Sequence, residues 1–402
     1  KLTMEEVLLE RLQKALQLEG LTPFSSKIAV EFLKKQLQEE GNNSQELFAR
    51  VIGFSVELVN KLNGIRPIES KNSKQRGCPS IIPGLTAQPF WRVDGSCSTS
   101  ASSEETIRVQ NAQNYILSVV KLLEESYPVI KEEFMNLREV YKHQDTATSS
   151  TPKSISSGFQ HYRSPLQTIS DPIEKGFLPD SASSATDKGD WNVFYFFLHG
   201  LNFDDNLQRC PRTAAILSSI PRHYSHAFFS SLAPDTHIKP HFGPTNKKLR
   251  CHLPIHIPRP QHQQQRKHED DSISDEKIAY LRVDGEEVEL QEGRCVVFDD
   301  SFLHEAANLS ISEPRTVLVV DLWHPDFSDA EVRFMSFINN AQIKAAQRMH
   351  KLRREQCEER VSSEQQSSHF NSEVYEDFFG AIQHSKMQGI SVEDVELIWG
   401  KE

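Results

Sequence analysis

The sequence predicts an α+β protein: an antiparallel β sandwich or jelly roll with helices before and after it. Three observations carry this prediction. From Trp191 onward, at least eight short β-prone runs separated by turn residues crowd into about 130 residues. Ahead of them, apolar residues recur at helical spacing in residues 1–65 and again in 107–142. After "WHP" (323–325) the helical spacing returns.

Taken in order, the first element is a small helical bundle. Val7, Leu8, Leu12, Ala15 and Leu16 mark one apolar face, and Ile28, Phe32, Leu33 and Leu37 a second. "GNNS" (41–44) breaks the chain before a third helix through Leu47, Val51, Phe54, Leu58 and Leu62. Residues 66–106 are rich in Ser, Pro and Gly, with one anchor in "QPFW" (88–91). The helix expected over 107–142 carries Ile116, Val119, Leu122, Leu123, Val129, Phe134 and Leu137. "QDTATSSTPKSISSG" (144–158) has little to bury and reads as a linker. The β-prone runs follow, from "WNVFYFFLHG" to "RTVLVVDLW". A solvated polar insertion, "RPQHQQQRKHEDDSISDEK" (259–277), interrupts them. The closing helix takes its stripe from Val332, Met335, Ile338, Ile343, Ala346, Met349 and Leu352.

At 402 residues the chain is long enough for two or three domains and a large core. Its net charge of −11 argues against a dedicated nucleic-acid surface. The longest apolar run, "VFYFFL" (193–198), is strand length and far short of the roughly 20 residues that span a bilayer. No signal peptide is visible in the chain, which begins at Lys1. Six cysteines (78, 97, 210, 251, 295, 357) lack CxxC spacing, which favours free thiols over a disulfide scaffold or a zinc ribbon.

Chemistry concentrates in three stretches. In "KPHFGPTN" (239–246), His241 is followed two residues later by Gly243, where a non-haem iron site would place a carboxylate. If 248–256 is a strand, Lys248, Arg250, His252 and His256 share one face, and Leu249, Cys251, Leu253 and Ile255 the other. The polar face then borders either solvent or a polar cavity. In "FDDSFLHEAANLSISEPR" (298–315) a β-run ends in an acidic turn, His304 follows, and Arg315 opens the next apolar strand. Two distant strand-borne histidines with a basic residue after the second suit an iron/2-oxoglutarate site. The histidines would fix Fe(II), and the arginine would hold the far carboxylate of the cosubstrate.

"PDTHIKPHFGPTNKKLRCHLPIHIP", "FDDSFLHEAAN" and "RTVLVVDLWHP" together resemble the aspartyl/asparaginyl β-hydroxylase family. The resemblance covers about 188–326 and extends weakly back to "QPFW". It implies a double-stranded β-helix (jelly-roll, cupin-like) core in 188–326. Around it would lie a helical region (1–65), linkers with helices (66–187) and C-terminal helices (327–402). It implies Fe(II) with 2-oxoglutarate as cosubstrate, and a dioxygenase reaction with O2 that yields succinate and CO2. The acceptor would be the β-carbon of Asp or Asn in a peptide or protein. His241 and His304 would be the metal ligands, and Arg315 with Ser230 would bind the 5-carboxylate. His252 and Arg250 would lie near the 1-carboxylate and the substrate acid, with Arg250 counted among the catalytic residues. Lys248 and Arg250 would bind substrate, Lys248 standing where the mammalian enzyme has arginine and lacking its planar fork.

Gly243 also occurs in the family, and the expectation is that it leaves room for a metal-bound water oriented by an outer-shell partner. The animal enzyme's disulfide segment retains a single cysteine here, Cys210. With no signal or spanning segment seen, a cytoplasmic location is expected. The ER lumen or membrane is the alternative if the start is trimmed. Two other readings compete: a non-catalytic jelly-roll binding module, and a zinc hydrolase on a cupin-like fold, which leaves Arg315 unexplained.

Overall fold

A computed structural model describes residues 9–10, 12–14, 16–17, 22–39, 72–78, 81–82, 84–92, 103–145, 159–162, 186–198, 201–258, 278–329 and 331–336. Its architecture is mixed: helices pack on antiparallel sheet. The strands are β1 (Gln160–His161), β2 (Thr186–Lys188), β3 (Trp191–Leu198), β4 (Leu201–Asn202), β5 (His223–Leu232) and β6 (Thr236–His241). Then come β7 (Lys248–His256), β8 (Ala279–Val283), β9 (Glu286–Glu289), β10 (Val296–Phe298), β11 (His304–Asn308) and β12 (Arg315–Trp323). The helices are α1 (Pro23–Glu39), α2 (Ser103–Asp145), α3 (Asp204–Arg209) and α4 (Pro211–Ser219).

Two sheets form. One has the order β1-β3-β5-β12-β7-β10, with β4 on β3, and the other β2-β6-β11-β8-β9. From β5 to β8 successive strands alternate between the sheets, as they do again from β9 to β12. This brings residues far apart in sequence to face one another across a narrow interior. The period-2 alternation of β7 decides what each face holds. Leu249, Cys251, Leu253 and Ile255 are buried on the outer face of the first sheet, against Ile116, Val119 and Leu123 of α2. The opposite face looks between the sheets, where Trp191, Val193, Phe228, Leu281, Phe298, Val317 and Val319 form a second apolar cluster. The polar side of β7 therefore borders an interior, except that His256 at its end turns to Glu313 and Arg138.

Helix α2 covers the expected 107–142 and extends past both ends. Its Glu133 receives the backbone N–H groups of Arg212 and Thr213 and so caps α4. In the N-terminal region Leu12 and Leu16 are buried as expected, but Ile28 is 42% exposed. Its neighbours Ala29 and Val30 are the buried pair at this turn of α1. The side chains of Phe32, Leu33 and Leu37, the third helix through Leu62, the linker 146–158, the insertion 259–277 and the helix beyond 336 lie outside the described residues. The "QPFW" anchor is seen: Phe90 bridges Phe298, and Trp91 N donates to Val297 O. Cys78, Cys210, Cys251 and Cys295 are free thiols. Among the described residues, no helix is long and apolar enough to cross a membrane.

Candidate active site

His241 ends β6 and His304 begins β11, and the register sets them opposite one another. Their ring centroids lie 4.1 Å apart. Each Nδ1–H donates to a carbonyl two residues back, His241 to Lys239 (2.7 Å) and His304 to Phe302 (2.9 Å). A carbonyl only accepts, so both rings are held in the tautomer that leaves Nε2 with a free lone pair. Burial foremost lowers both pKa values. That of His304 falls to about 3, with His241 contributing. Two neutral, locked imidazoles could hold a metal through Nε2.

Asp300 packs into the space beside Gly243. A Cβ on Gly243 would lie 2.6 Å from Asp300 Cγ and 2.7 Å from its carbonyl oxygen. Gly243 N donates to that same carbonyl at 2.6 Å. The Asp300 carboxylate thus takes the volume that a carboxylate at position 243 would need, reaching it from the β10–β11 turn. Its Oδ2 accepts from Lys248 Nζ (2.6 Å), whereas Oδ1 is buried with no partner. Among the described residues there is no group of three or more His, Cys, Asp or Glu that could hold a metal. The histidine pair with Asp300 behind it is what the cavity offers.

Next to this lies a closed charge network. Arg250 grips Asp321 with two bonds, Nε to Oδ1 (2.8 Å) and Nη2 to Oδ2 (2.9 Å). Lys248 reaches Asp300 and Asp321, and His226 Nδ1 donates to Asp321 (2.8 Å). Burial works against ionisation of both acids. Lys248 and Arg250 overcome it and hold both carboxyls below the usual range, Asp321 well below. The Lys248 ammonium is therefore spoken for by the protein's own carboxylates.

Arg315 is the opposite case. It is 1% exposed, and its Nε and Nη2 have no hydrogen-bond partner. Burial alone pulls its pKa down to about 10. A buried guanidinium without a counter-ion is costly and fits an anion brought by a ligand. Ser230, on β5 beside it, accepts from Trp191 Nε1 (3.0 Å), and Tyr162 stacks on Trp191 at 3.6 Å. His252 has a buried Nδ1 without a partner. Burial, then Arg315, Arg250 and His304, holds it well below its ordinary pKa. Arg315, Arg250 and His304 all act on His252, so these four expected site residues lie close together. Asp300, Asp321, His226 and Tyr162 were not singled out in the sequence. Two signals were available: the acidic turn four residues before His304, and one acid inside the apolar "TVLVVDLW".

Two locked histidines and a buried guanidinium with unpartnered nitrogens are an arrangement suited to a ligand, and comparison with known proteins gives its family. The model of the Aspartyl/Asparaginyl beta-hydroxylase family matches residues 124–325. The chain belongs to that family. It is 33% identical over 192 residues to human aspartate beta-hydroxylase domain-containing protein 2, a match covering 46% of this chain and 47% of the relative. It is 27% identical over 198 residues to human aspartyl/asparaginyl beta-hydroxylase (48% and 24%). To the ornithine lipid ester-linked acyl 2-hydroxylase of Rhizobium tropici it is 31% identical over 199 residues (48% and 63%). The chain thus spans less than two thirds of the length of each of these relatives.

Proposed function

We propose that the chain is an Fe(II)- and 2-oxoglutarate-dependent dioxygenase that hydroxylates the β-carbon of aspartyl or asparaginyl residues in a peptide or protein. Succinate and CO2 are the coproducts. The strand alternation between sheets is read as a double-stranded β-helix core. One observation supports the reading: Arg315 is buried without a counter-ion among the described residues, and it lies with His304 close to His252. That pairing asks for a metal at one end and a carboxylate at the other.

In this reading His241 and His304 would hold the metal through Nε2, and the unpaired Asp300 Oδ1 would serve as an outer acceptor beside them. Arg315 and Ser230 take the 5-carboxylate of 2-oxoglutarate. His252 and the outward edge of Arg250 face the 1-carboxylate and the substrate acid. Arg250 is fixed for this by Asp321, and Lys248 acts on recognition through Asp300 and Asp321. When bound, Fe(II) with O2 and 2-oxoglutarate supplies the oxidising chemistry for C–H hydroxylation. Apart from positioning, the protein's contribution is a dry cavity, walled by Phe298, Val317 and Val319.

The test is succinate release from 2-oxoglutarate with iron, ascorbate and peptides containing Asp or Asn, read with a mass gain of one oxygen on the peptide. His304→Ala is expected to abolish both signals. An acyl-lipid arm belongs in the same assay because the Rhizobium relative is named for acyl hydroxylation. Oxygen gained on the lipid alone would overturn the peptide assignment, and succinate insensitive to His304→Ala would overturn the site.

A further inference from the structure

The segment 72–91 lies ahead of the family match, which begins at residue 124. Its Ser/Pro/Gly-rich sequence reads as a linker, yet its described residues dock at several points. Asn246 donates to Ile82 O (3.0 Å) and accepts from Ile82 N (2.8 Å). Thr86 N donates to Asp326 (2.7 Å), and His324 Nε2 donates to Thr86 O (3.0 Å). Asp299 N donates to Pro89 O (3.0 Å), and Trp91 N to Val297 O (2.9 Å). A Cβ on Gly77 would run into the ring of Phe242, the residue after His241. The strap therefore leans on both segments that build the metal end of the cavity.

We propose that this strap is part of the active site and that Gln75 is a positioning residue. It clamps the Asp299–Ser301 turn and thereby sets Asp300 against the histidine pair. Gln75 ends a short 3-10 helix (Ser73–Gln75) and is 2% exposed. Its Nε2 donates to Ser301 Oγ (2.7 Å) and to Asp299 Oδ2 (3.2 Å). Asp299 Oδ1 in turn accepts from Ser301 N (2.9 Å), so one amide group closes a ring of bonds around Asp300. Asp300 uses its carbonyl on Gly243 and its carboxylate on Lys248, so a small rotation of the turn moves both contacts together. Gln75 brings no charge to this place, and a buried polar side chain with two acceptors in one turn is a directional clamp. The inference rests on the proposed metal site for its function, and on the hydrogen bonds alone for the clamp.

The experiment uses the full chain and the isosteric variant Gln75→Met, with Ser301→Ala as a second way to open the clamp. Asp326→Asn is the control, because it exchanges the charged acceptor of Thr86 N for a neutral one and so weakens the strap there, away from the turn. Two quantities are read. One is amide hydrogen exchange in the peptide 299–303, without metal. The other is the affinity for Mn(II), a redox-silent probe, with 2-oxoglutarate present. Gln75→Met and Ser301→Ala are expected to speed exchange and to weaken Mn(II) binding by about tenfold, the usual cost of an outer-shell change. Asp326→Asn should leave Mn(II) affinity within about twofold. Unchanged exchange in 299–303 would overturn the clamp. Loss of Mn(II) affinity in all three variants in proportion to lost thermal stability would overturn the positioning role. If the unaltered chain takes up no Mn(II) with 2-oxoglutarate, the iron reading fails, and faster exchange in Gln75→Met still upholds the clamp.

Discussion

Arg250 and Arg315 sit on adjacent strands of one sheet and face one cavity, yet their surroundings are opposite. Arg250 is bound by two bonds to Asp321, which also serves Lys248 and His226. Arg315 has two N–H-bearing nitrogens with nothing to bond. The difference separates scaffold from site. A compensated buried charge holds the protein's own parts in place. An uncompensated one is a cost to folding that a ligand repays.

Single substitutions should pull these two ends apart. Asp321→Ala leaves Arg250 and Lys248 buried with a missing partner and is expected to cost about 3–5 kcal/mol in chemical denaturation. Arg315→Met should do the reverse. The ligand-free protein should be as stable as before or more so, while the rise in Tm given by 2-oxoglutarate disappears. A loss of stability in Arg315→Met matching that of Asp321→Ala would erase the distinction. Gly243→Ala presses on the Asp300 carboxylate and backbone and is expected to cost about 1–3 kcal/mol. It should also weaken metal binding, and a variant as stable as the parent would show that Asp300 can give way.

Acid sharpens the comparison from another side. Burial foremost lowers the pKa values of His223 (to about 4), His226, His241, His252, His256 and His304 (to about 3). The unfolded chain binds protons on these groups near 6.5, so it takes up more protons than the fold below that value. Their stability is fully present above about pH 7 and is lost as pH falls from 6.5 toward 4. Asp299 runs the other way. Burial pushes it up to about 7, so its contribution is largest below about 4 and is lost as pH rises to 7. The histidines outnumber it. The Tm of the metal-free chain is therefore expected to drop between pH 7 and 5, and a flat profile would contradict the neutral, buried histidines. The smallest effect belongs to the surface. Lys188 and Asp235 form an ion pair with both side chains about half exposed, and Lys188→Ala should change stability by no more than about 0.5 kcal/mol.

Much of the site was legible because it obeys local rules. The two faces of β7 follow from alternation alone, and the spacing of His241, Gly243, His304 and Arg315 marked the strands that matter. What the sequence hid is cross-strand pairing. Lys248 read as a hand extended to substrate, but register places Trp323 opposite it and Asp321 opposite Arg250, so carboxylates from β12 and the β10–β11 turn reach it first. The strap was hidden for a different reason. Most of its docking runs through backbone groups of Ile82, Thr86, Pro89 and Trp91, and any sequence can supply those. The exposed Ile28 shows the limit of periodicity where Ile28, Ala29 and Val30 are all apolar.

The packing of Asp300 against Gly243 has an evolutionary consequence. A conventional His-x-Asp site is two substitutions away, one to add a carboxylate at 243 and one to clear the carboxylate at 300. Taken singly, the first meets a collision, and the second strips Lys248 of its nearest carboxylate. Either order descends before it climbs. The present arrangement is thus locked by packing on one side and by charge on the other, whether or not it is the better catalyst.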